Sequence, residues 1–332
     1  MSTSDGNHWE GRNVLVTGCT GFLGWWLTKA LLDRGAHVVG LVRDVVPRAP
    51  FFASGTDQRV TSVRGSLEDG TTVERALLEY EVDTVFHLAA QAIVGAANKG
   101  PLPTFEANIR GTWLLLEACR RVPGIEAVVV ASSDKAYGDH EVLPYDETHA
   151  LQGRHPYDVS KSCADLITTS YHVTYGMPVA ITRCGNLFGG GDLNWSRIVP
   201  GTIRSALKGE RPIIRSDGSP LRDYVHVEDA AAAYMALAER LPGEQVAGRG
   251  FNLGTGTPVS VLELTQRILA AADRGDLTPD VRNEAVGEIK HQYLSSSLAR
   301  EVLDWTPSMD LDGRLRQSVA WYRDHLADEL GG

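Results

Sequence analysis

The chain has 332 residues, 43% of them hydrophobic, and a formal net charge of −10. That is enough apolar material for a large core and, by length, for about two domains. The acidic balance leaves no basic footprint and argues against nucleic acid as a partner. Four cysteines, Cys19, Cys119, Cys163 and Cys184, follow no metal-ligand spacing, so buried free thiols and no metal site are expected. No apolar run reaches membrane-spanning length, and the polar tail Met1 to Gly11 lacks the apolar core of a signal peptide. A cytoplasmic protein with no membrane partner follows.

Asn13 to Thr17 reads as a buried parallel strand, followed at once by Gly18-Cys19-Thr20-Gly21-Phe22-Leu23-Gly24 and a helical run from Trp25 to Arg34. Strand, glycine turn and helix form the context a dinucleotide-binding loop requires. Glycine permits the tight turn and close approach of a pyrophosphate, and the helix N-terminus offers amides and positive potential. The spacing is GxxGxxG. His37 to Val42 is a second strand, ending in Arg43-Asp44. An acid there would hold the ribose hydroxyls of NAD, and an arginine the 2′-phosphate of NADP; Arg43 favours NADP, while Asp44 could still serve NAD. Val45 to Gly55 carries Pro47 and Pro50 without a clear period and reads as a loop.

Gln58 to Val63 resembles an edge strand, with Gly65 to Asp69 following it. Asp83 to Ala90 is a fourth strand running into Gln91, Pro103 to Arg121 a long helix carrying Asn108, Ala127 to Ala131 a fifth strand and Val179 to Cys184 a sixth. Strands alternating with helices predict a doubly wound parallel α/β sheet of Rossmann type, with ligands at the carboxyl ends of the strands.

The chemistry is concentrated between Ser132 and Lys161. Ser132-Ser133-Asp134-Lys135 directly follows the fifth strand, and Tyr157 and Lys161 open a helical segment. Tyr and Lys four apart on a helix share a face. An ammonium near a phenol favours the phenolate, making Tyr157 a candidate general base for a sugar hydroxyl. The spacing alone also fits an ordinary amphipathic helix; the nucleotide-binding signature upstream favours the catalytic reading. After Cys184 the pattern loosens. Gly189 to Asp192 is a glycine-rich loop leading to Arg197, and Arg222 to Asp229 precedes an alanine-rich helix to Arg240. Phe251 to Gly254 is a short strand and turn, Ser260 opens another helix, and the last helix carries Trp321. These pieces read as a smaller lid. The expected domains are 1–180 for cofactor and 181–332 for nucleotide sugar, with segments near 222–256 returning to the first. His87 and His226 read as structural.

Taken together, the glycine loop, His87-Leu88-Ala89-Ala90, the serine-rich strand end, YxxxK, Arg183 to Asp192 and Arg222 to Asp229 resemble the extended short-chain dehydrogenase/reductase family over about Asn13 to Gly256. The resemblance implies a two-domain enzyme with a nicotinamide cofactor, NAD or NADP, acting on a nucleotide-diphosphate sugar. It implies cofactor contacts from Gly18, Gly21, Phe22, Leu23, Gly24, Arg43, Ser66, Leu67, Leu88, Ala89, Ala90, Tyr157 and Lys161. Tyr157 would be the catalytic base, Lys161 its helper, and Ser133 would bond the reacting hydroxyl. Gln91, Asn186, Arg197 and Arg222 would hold the substrate. Helices Phe105 to Arg121 and Tyr157 to Tyr175 would pair in a homodimer.

Asp134 and Lys135 choose among reactions. A 4-epimerase needs only transient oxidation at C4, and small residues usually follow its serines. A 4,6-dehydratase also needs a base for the C5 proton and an acid for the departing C6 hydroxyl. Lys135 suits the base and Asp134 the acid, and the triplet is similar to that of dehydratases acting on CDP-glucose. A pair that merely orders the loop is the plainer alternative. Arg222-Asp223-Tyr224-Val225-His226 is the common family form and leaves the nucleotide base open. The leading expectation is a nucleotide-diphosphate hexose 4,6-dehydratase, then a 4-epimerase, then a cofactor-binding regulator without turnover.

Overall fold

Alternating burial places the centre of the molecule. In β1 (Asn13–Thr17), Val14 and Val16 pack into one apolar layer and Leu15 into the other. In β5 (Ala127–Ala131), Ala127 and Val129 join the first layer, Val128 and Val130 the second. A strand buried on both faces in this way belongs inside a parallel sheet covered by helices. The computed structural model describes residues 7–241, 243–284 and 289–325; Met1 to Gly6 of the polar tail lie outside them.

With β2 (His37–Val42), β3 (Thr61–Arg64), β4 (Thr84–His87), β6 (Val179–Cys184) and the strand Gly250–Leu253, these form a seven-stranded sheet. The order is Gly250–Leu253, β6, β5, β4, β1, β2, β3, with every pair parallel. The order reverses between β1 and β4, so the crevice at their carboxyl ends is the natural ligand position. Helices Phe22–Leu32 and Val227–Arg240 cover one face, and Gly70–Glu79, Gly111–Arg121 and Pro156–Tyr175 the other. A third apolar cluster, including Phe188, Ile203, Leu264, Ile268, Leu315 and Tyr322, joins helices Ile198–Lys208, Val261–Ala271 and Leu311–His325 above the strand ends. Three short strands, Val259–Ser260, Leu221–Arg222 and His291–Gln292, tie this part together.

Several local readings shift. The edge strand begins at Thr61, because Thr56–Arg59 closes a 3₁₀ turn after the left-handed Gly55. The apparent loop before it contains a short helix, Pro50–Ala53, started by the proline at its first position. The long helix starts at Pro101 and is interrupted by a π turn at Glu106–Arg110, which carries the buried Asn108. The short strand and turn expected over Phe251 to Gly254, in the segment expected to return to the first domain, is the strand Gly250–Leu253, outermost in the main sheet beside β6.

Candidate active site

Backbone geometry shapes the first wall of the site. Gly18 has φ +75°, and a Cβ there would lie 2.7 Å from the Ala89 nitrogen. A Cβ on Gly24 would meet the Gly18 oxygen at 2.0 Å, so only glycine lets the first helix press against the turn. Gly21 is the N-cap, no side chain caps this helix, and no acid lies in its first turn. The uncapped amides therefore face outward as an anion site, and the loop fits a dinucleotide pyrophosphate. Beside it, Thr17 accepts from the Leu88 and Ala89 amides at 3.2 Å and bonds His87 Nδ1 at 2.9 Å. His87 Nε2 lies 3.0 Å from the Thr112 hydroxyl, which donates to Asn108 O. Burial lowers His87 to about 3; it is a neutral strut that fixes the end of β4.

The second wall is built from side chains at the tip of β5. Ser133 Oγ caps the 3₁₀ turn Asp134–Tyr137 by accepting from the Lys135 amide at 3.2 Å, and donates to Asp134 Oδ1 at 3.0 Å. Lys135 Nζ sits 3.3 Å from Asp134 Oδ2 and also donates to Gln292 Oε1. Gln292, fully buried, donates in turn to the Asp134 carbonyl at 3.1 Å. The Ser133 hydroxyl favours the ionised form of the Tyr157 phenol. Asn108 clamps the Gln91 backbone, accepting from its amide at 2.7 Å, and donates to Ser160 on the Tyr157 helix at 2.9 Å.

The electrostatics differ from the sequence expectation. Lys161 was expected to draw the Tyr157 phenol down. Instead burial pushes Tyr157 up to about 12, outweighing the pull of the Ser133 hydroxyl and the Arg197 charge. Burial also lowers Lys161 to about 8, and its ammonium donates to Ala131 O at 2.7 Å. Desolvation dominates both groups because the helix packs its first turn against the sheet.

Both walls line one cavity of about 1630 Å³, larger than the few hundred to roughly 1,000 Å³ of an ordinary single-ligand pocket. Each cofactor, substrate and catalytic residue expected from the sequence lines it: Gly18, Gly21 and Gly24 with Phe22 and Leu23, then Arg43, Ser66, Leu67, Leu88, Ala89, Ala90 and Gln91. Ser133, Asp134, Lys135, Tyr157, Lys161, Asn186, Arg197 and Arg222 complete that set. Arg197 is held by the buried Asp192 at 2.9 Å. Arg222, buried, donates to the Leu221, Ile289 and Lys290 carbonyls. Arg43 is exposed and pairs with Asp44 at 2.7 Å.

A sequence profile described as the NAD dependent epimerase/dehydratase family matches residues 14–254. The chain belongs to that family. Within the epimerase/dehydratase family it is similar to CDP-glucose 4,6-dehydratase of Salmonella typhimurium, at 31% identity over 98% of this chain and 94% of that protein. It is similar in structure to a double mutant of DesIV, the dTDP-glucose 4,6-dehydratase of Streptomyces venezuelae, with NAD and DAU bound. That match has TM-score 0.84 and 27% identity, over 96% of this chain and 99% of that one. UDP-glucose 4-epimerase of Thermotoga maritima, solved with UDP-glucose, matches at TM-score 0.84 and 26% identity, over 95% and 99%.

The structure adds residues the sequence reading missed. Arg215 and Arg282 line the same cavity as Arg197 and Arg222, and Gln292 holds Lys135 from 157 positions away. Asn108 ties the Gln91 backbone to Ser160, a role that no sequence pattern marks. No local motif marks Gln292, Arg215 or Arg282.

Proposed function

We propose that this chain is a nucleotide-diphosphate hexose 4,6-dehydratase, with CDP-glucose the favoured substrate. The observation that carries the reading is the Asp134–Lys135 pair at the tip of β5, 3.3 Å apart, in the cavity that also holds Tyr157 and the glycine loop. A bound nicotinamide supplies the acceptor for the C4 hydride, its return to C6, and a positive charge that favours the Tyr157 phenolate. Tyr157, whose phenolate the Ser133 hydroxyl favours, takes the C4 hydroxyl proton. The resulting ketone acidifies C5–H, and Lys135 is the base beside it. A neutral lysine has two N–H bonds and one lone pair. Asp134 and Gln292 take the two N–H bonds, leaving the lone pair for the substrate. Asp134 protonates the departing C6 hydroxyl. An epimerase has no use for this acid and base.

Arg197, Arg215, Arg222 and Arg282 gather on the same cavity and suit a diphosphate. NAD is the favoured cofactor, because Asp44 offers a carboxylate to ribose hydroxyls and neutralises Arg43. The favoured assembly is a homodimer through the two neighbouring long helices. Leu102, Trp113, Leu166 and Val173 are exposed there, Val173 by 75%, and a second copy would cover them. Among the described residues no helix is long and apolar enough to cross a membrane. The four free thiols suit a reducing cytoplasm. Incubation with CDP-, dTDP-, GDP- and UDP-glucose, followed by NMR, tests the reading. A 4-keto-6-deoxy sugar from one of them is expected, and C4 inversion with the C6 hydroxyl retained in all would overturn it.

A further inference from the structure

We infer that Arg222, expected from the sequence as a substrate contact, is also a positioning residue for Lys135 and acts on it through the short strand His291–Gln292. This inference rests on the dehydratase reading above. Leu221–Arg222 is the middle strand of three, paired on one side with Val259–Ser260 and on the other with His291–Gln292. Arg222 and Gln292 are register partners. The Arg222 guanidinium reaches along the outer segment and donates to Ile289 O at 2.5 Å and Lys290 O at 3.0 Å, with a third bond to Leu221 O at 2.9 Å. Two positions beyond Lys290, the side chain of Gln292 turns to the catalytic residues. Its Oε1 accepts from Lys135 Nζ, and its Nε2 donates to the Asp134 carbonyl at 3.1 Å. Arg222 is 7% exposed and Gln292 is fully buried, so the whole connection runs behind the cavity surface.

A two-residue strand makes few ladder bonds of its own. The Leu221 amide donates to Lys290 O at 2.9 Å, and the Arg222 fork adds the charged donors on that side. Past Gln292 the chain is tied again: the Tyr145 amide donates to Tyr293 O at 3.0 Å, and the Ser295 amide to Tyr145 O at 2.8 Å. Gln292 therefore sits between two anchors, and Arg222 is the one that lines the cavity. Without the fork, Ile289 and Lys290 lose a charged donor and Gln292 shifts with them. Lys135 then keeps Asp134 but loses its second acceptor. An amine aimed by one bond instead of two presents its lone pair to C5–H less often, and a base out of line loses rate steeply. Oxidation at C4 draws on Tyr157 and the nicotinamide and does not pass through this strand. One guanidinium thus serves both the diphosphate end and the elimination end, and its loss must harm proton removal at C5 more than oxidation at C4.

The test separates oxidation from proton removal. CDP-6-deoxyglucose has no leaving group at C6, so on this sugar the enzyme can only oxidise C4 and exchange the C5 proton. It is given in deuterium oxide, at saturating concentration, to wild type, Arg222→Lys, Gln292→Leu and the double variant, on another nucleotide if wild type prefers it. Absorbance of the reduced nicotinamide follows C4 oxidation, and mass spectrometry follows deuterium entering at C5. Lysine keeps a positive charge for the diphosphate but lacks the planar fork that spans the carbonyls. The ratio of exchange to oxidation cancels any loss of binding or of folded protein common to both. In Gln292→Leu it is expected to fall about tenfold, on the scale of one hydrogen bond to a charged group. Arg222→Lys should show a similar fall, and the double variant no further one, because both changes cut the same route. Arg222→Gln takes the place of Arg222→Lys should the latter not fold, with the same fall expected. An unchanged ratio in the Arg222 variant, or falls that multiply in the double variant, would overturn the positioning role while leaving the dehydratase reading intact. Absence of C5 exchange in wild type would overturn both.

Discussion

The two walls of the cavity recognise their ligands by different means. The cofactor wall is made of backbone: a left-handed glycine, an uncapped helix start, and strand ends fixed by a neutral histidine. The opposite wall is made of side chains brought from distant parts of the chain, four arginines and the Ser133–Asp134–Lys135–Gln292 cluster among them. Backbone recognition needs particular residue types at fixed short spacing, so it leaves a pattern in the sequence. Side-chain recognition needs only that the fold deliver the groups, so it leaves almost none.

The largest effect should come from the side-chain wall. Lys135→Ala should lower water elimination by about 10²–10⁴-fold and abolish solvent deuterium exchange at C5, while C4 oxidation stays measurable; unaltered exchange would remove Lys135 from the base role. The corresponding break on the backbone wall is Gly24→Ala. Its Cβ would meet the Gly18 oxygen at 2.0 Å, so the turn must shift. Purified variant should retain little cofactor, and calorimetry should find its Tm lowered by several degrees.

Arg222→Ala leaves three carbonyls without their guanidinium donor. A loss of about 2–3 kcal/mol in binding of the free nucleoside diphosphate is expected, measured by titration calorimetry, with cofactor binding unchanged. Gln292→Leu frees one side of Lys135 and should slow dehydration by roughly tenfold, on the order of one lost hydrogen bond to a charged group. The KM for the nucleotide sugar should hold, and a raised KM would make Gln292 a substrate contact instead.

The smallest effect concerns stability. Lys161 titrates near 8 in the fold and near 10.5 when unfolded. Between those values the unfolded chain binds more protons, so stability rises with pH through that window, and the cost of burying the ammonium is complete below 8. Lys161→Met should remove most of that slope and stabilise the fold near neutrality by on the order of 1–2 kcal/mol, with activity lost. An unchanged slope in denaturation between pH 8 and 10 would contradict it.

Much of this was legible in the sequence, and the exceptions share a cause. The parallel sheet, the glycine turn and the chemistry at the end of β5 follow from alternation, spacing and residue type. The interrupted helix at Glu106–Arg110 was not legible, because a π turn keeps helical periodicity on both sides. The pairing of Gly250–Leu253 with β6 depends on tertiary packing of a four-residue segment that carries no period of its own. Gln292 reaches Lys135 through a two-residue strand, too short to register in any pattern. The sign of the Tyr157 shift was not legible, because a helix-face argument sees the neighbouring charge and not the depth of burial.

The account stands on water being expelled from a ketone formed in the same site. Nucleotide glucose carrying deuterium at C4 tests it most directly. The account predicts a 4-keto-6-deoxy product with that deuterium at C6. Deuterium retained at C4 of an inverted sugar, with its C6 hydroxyl in place, would contradict it.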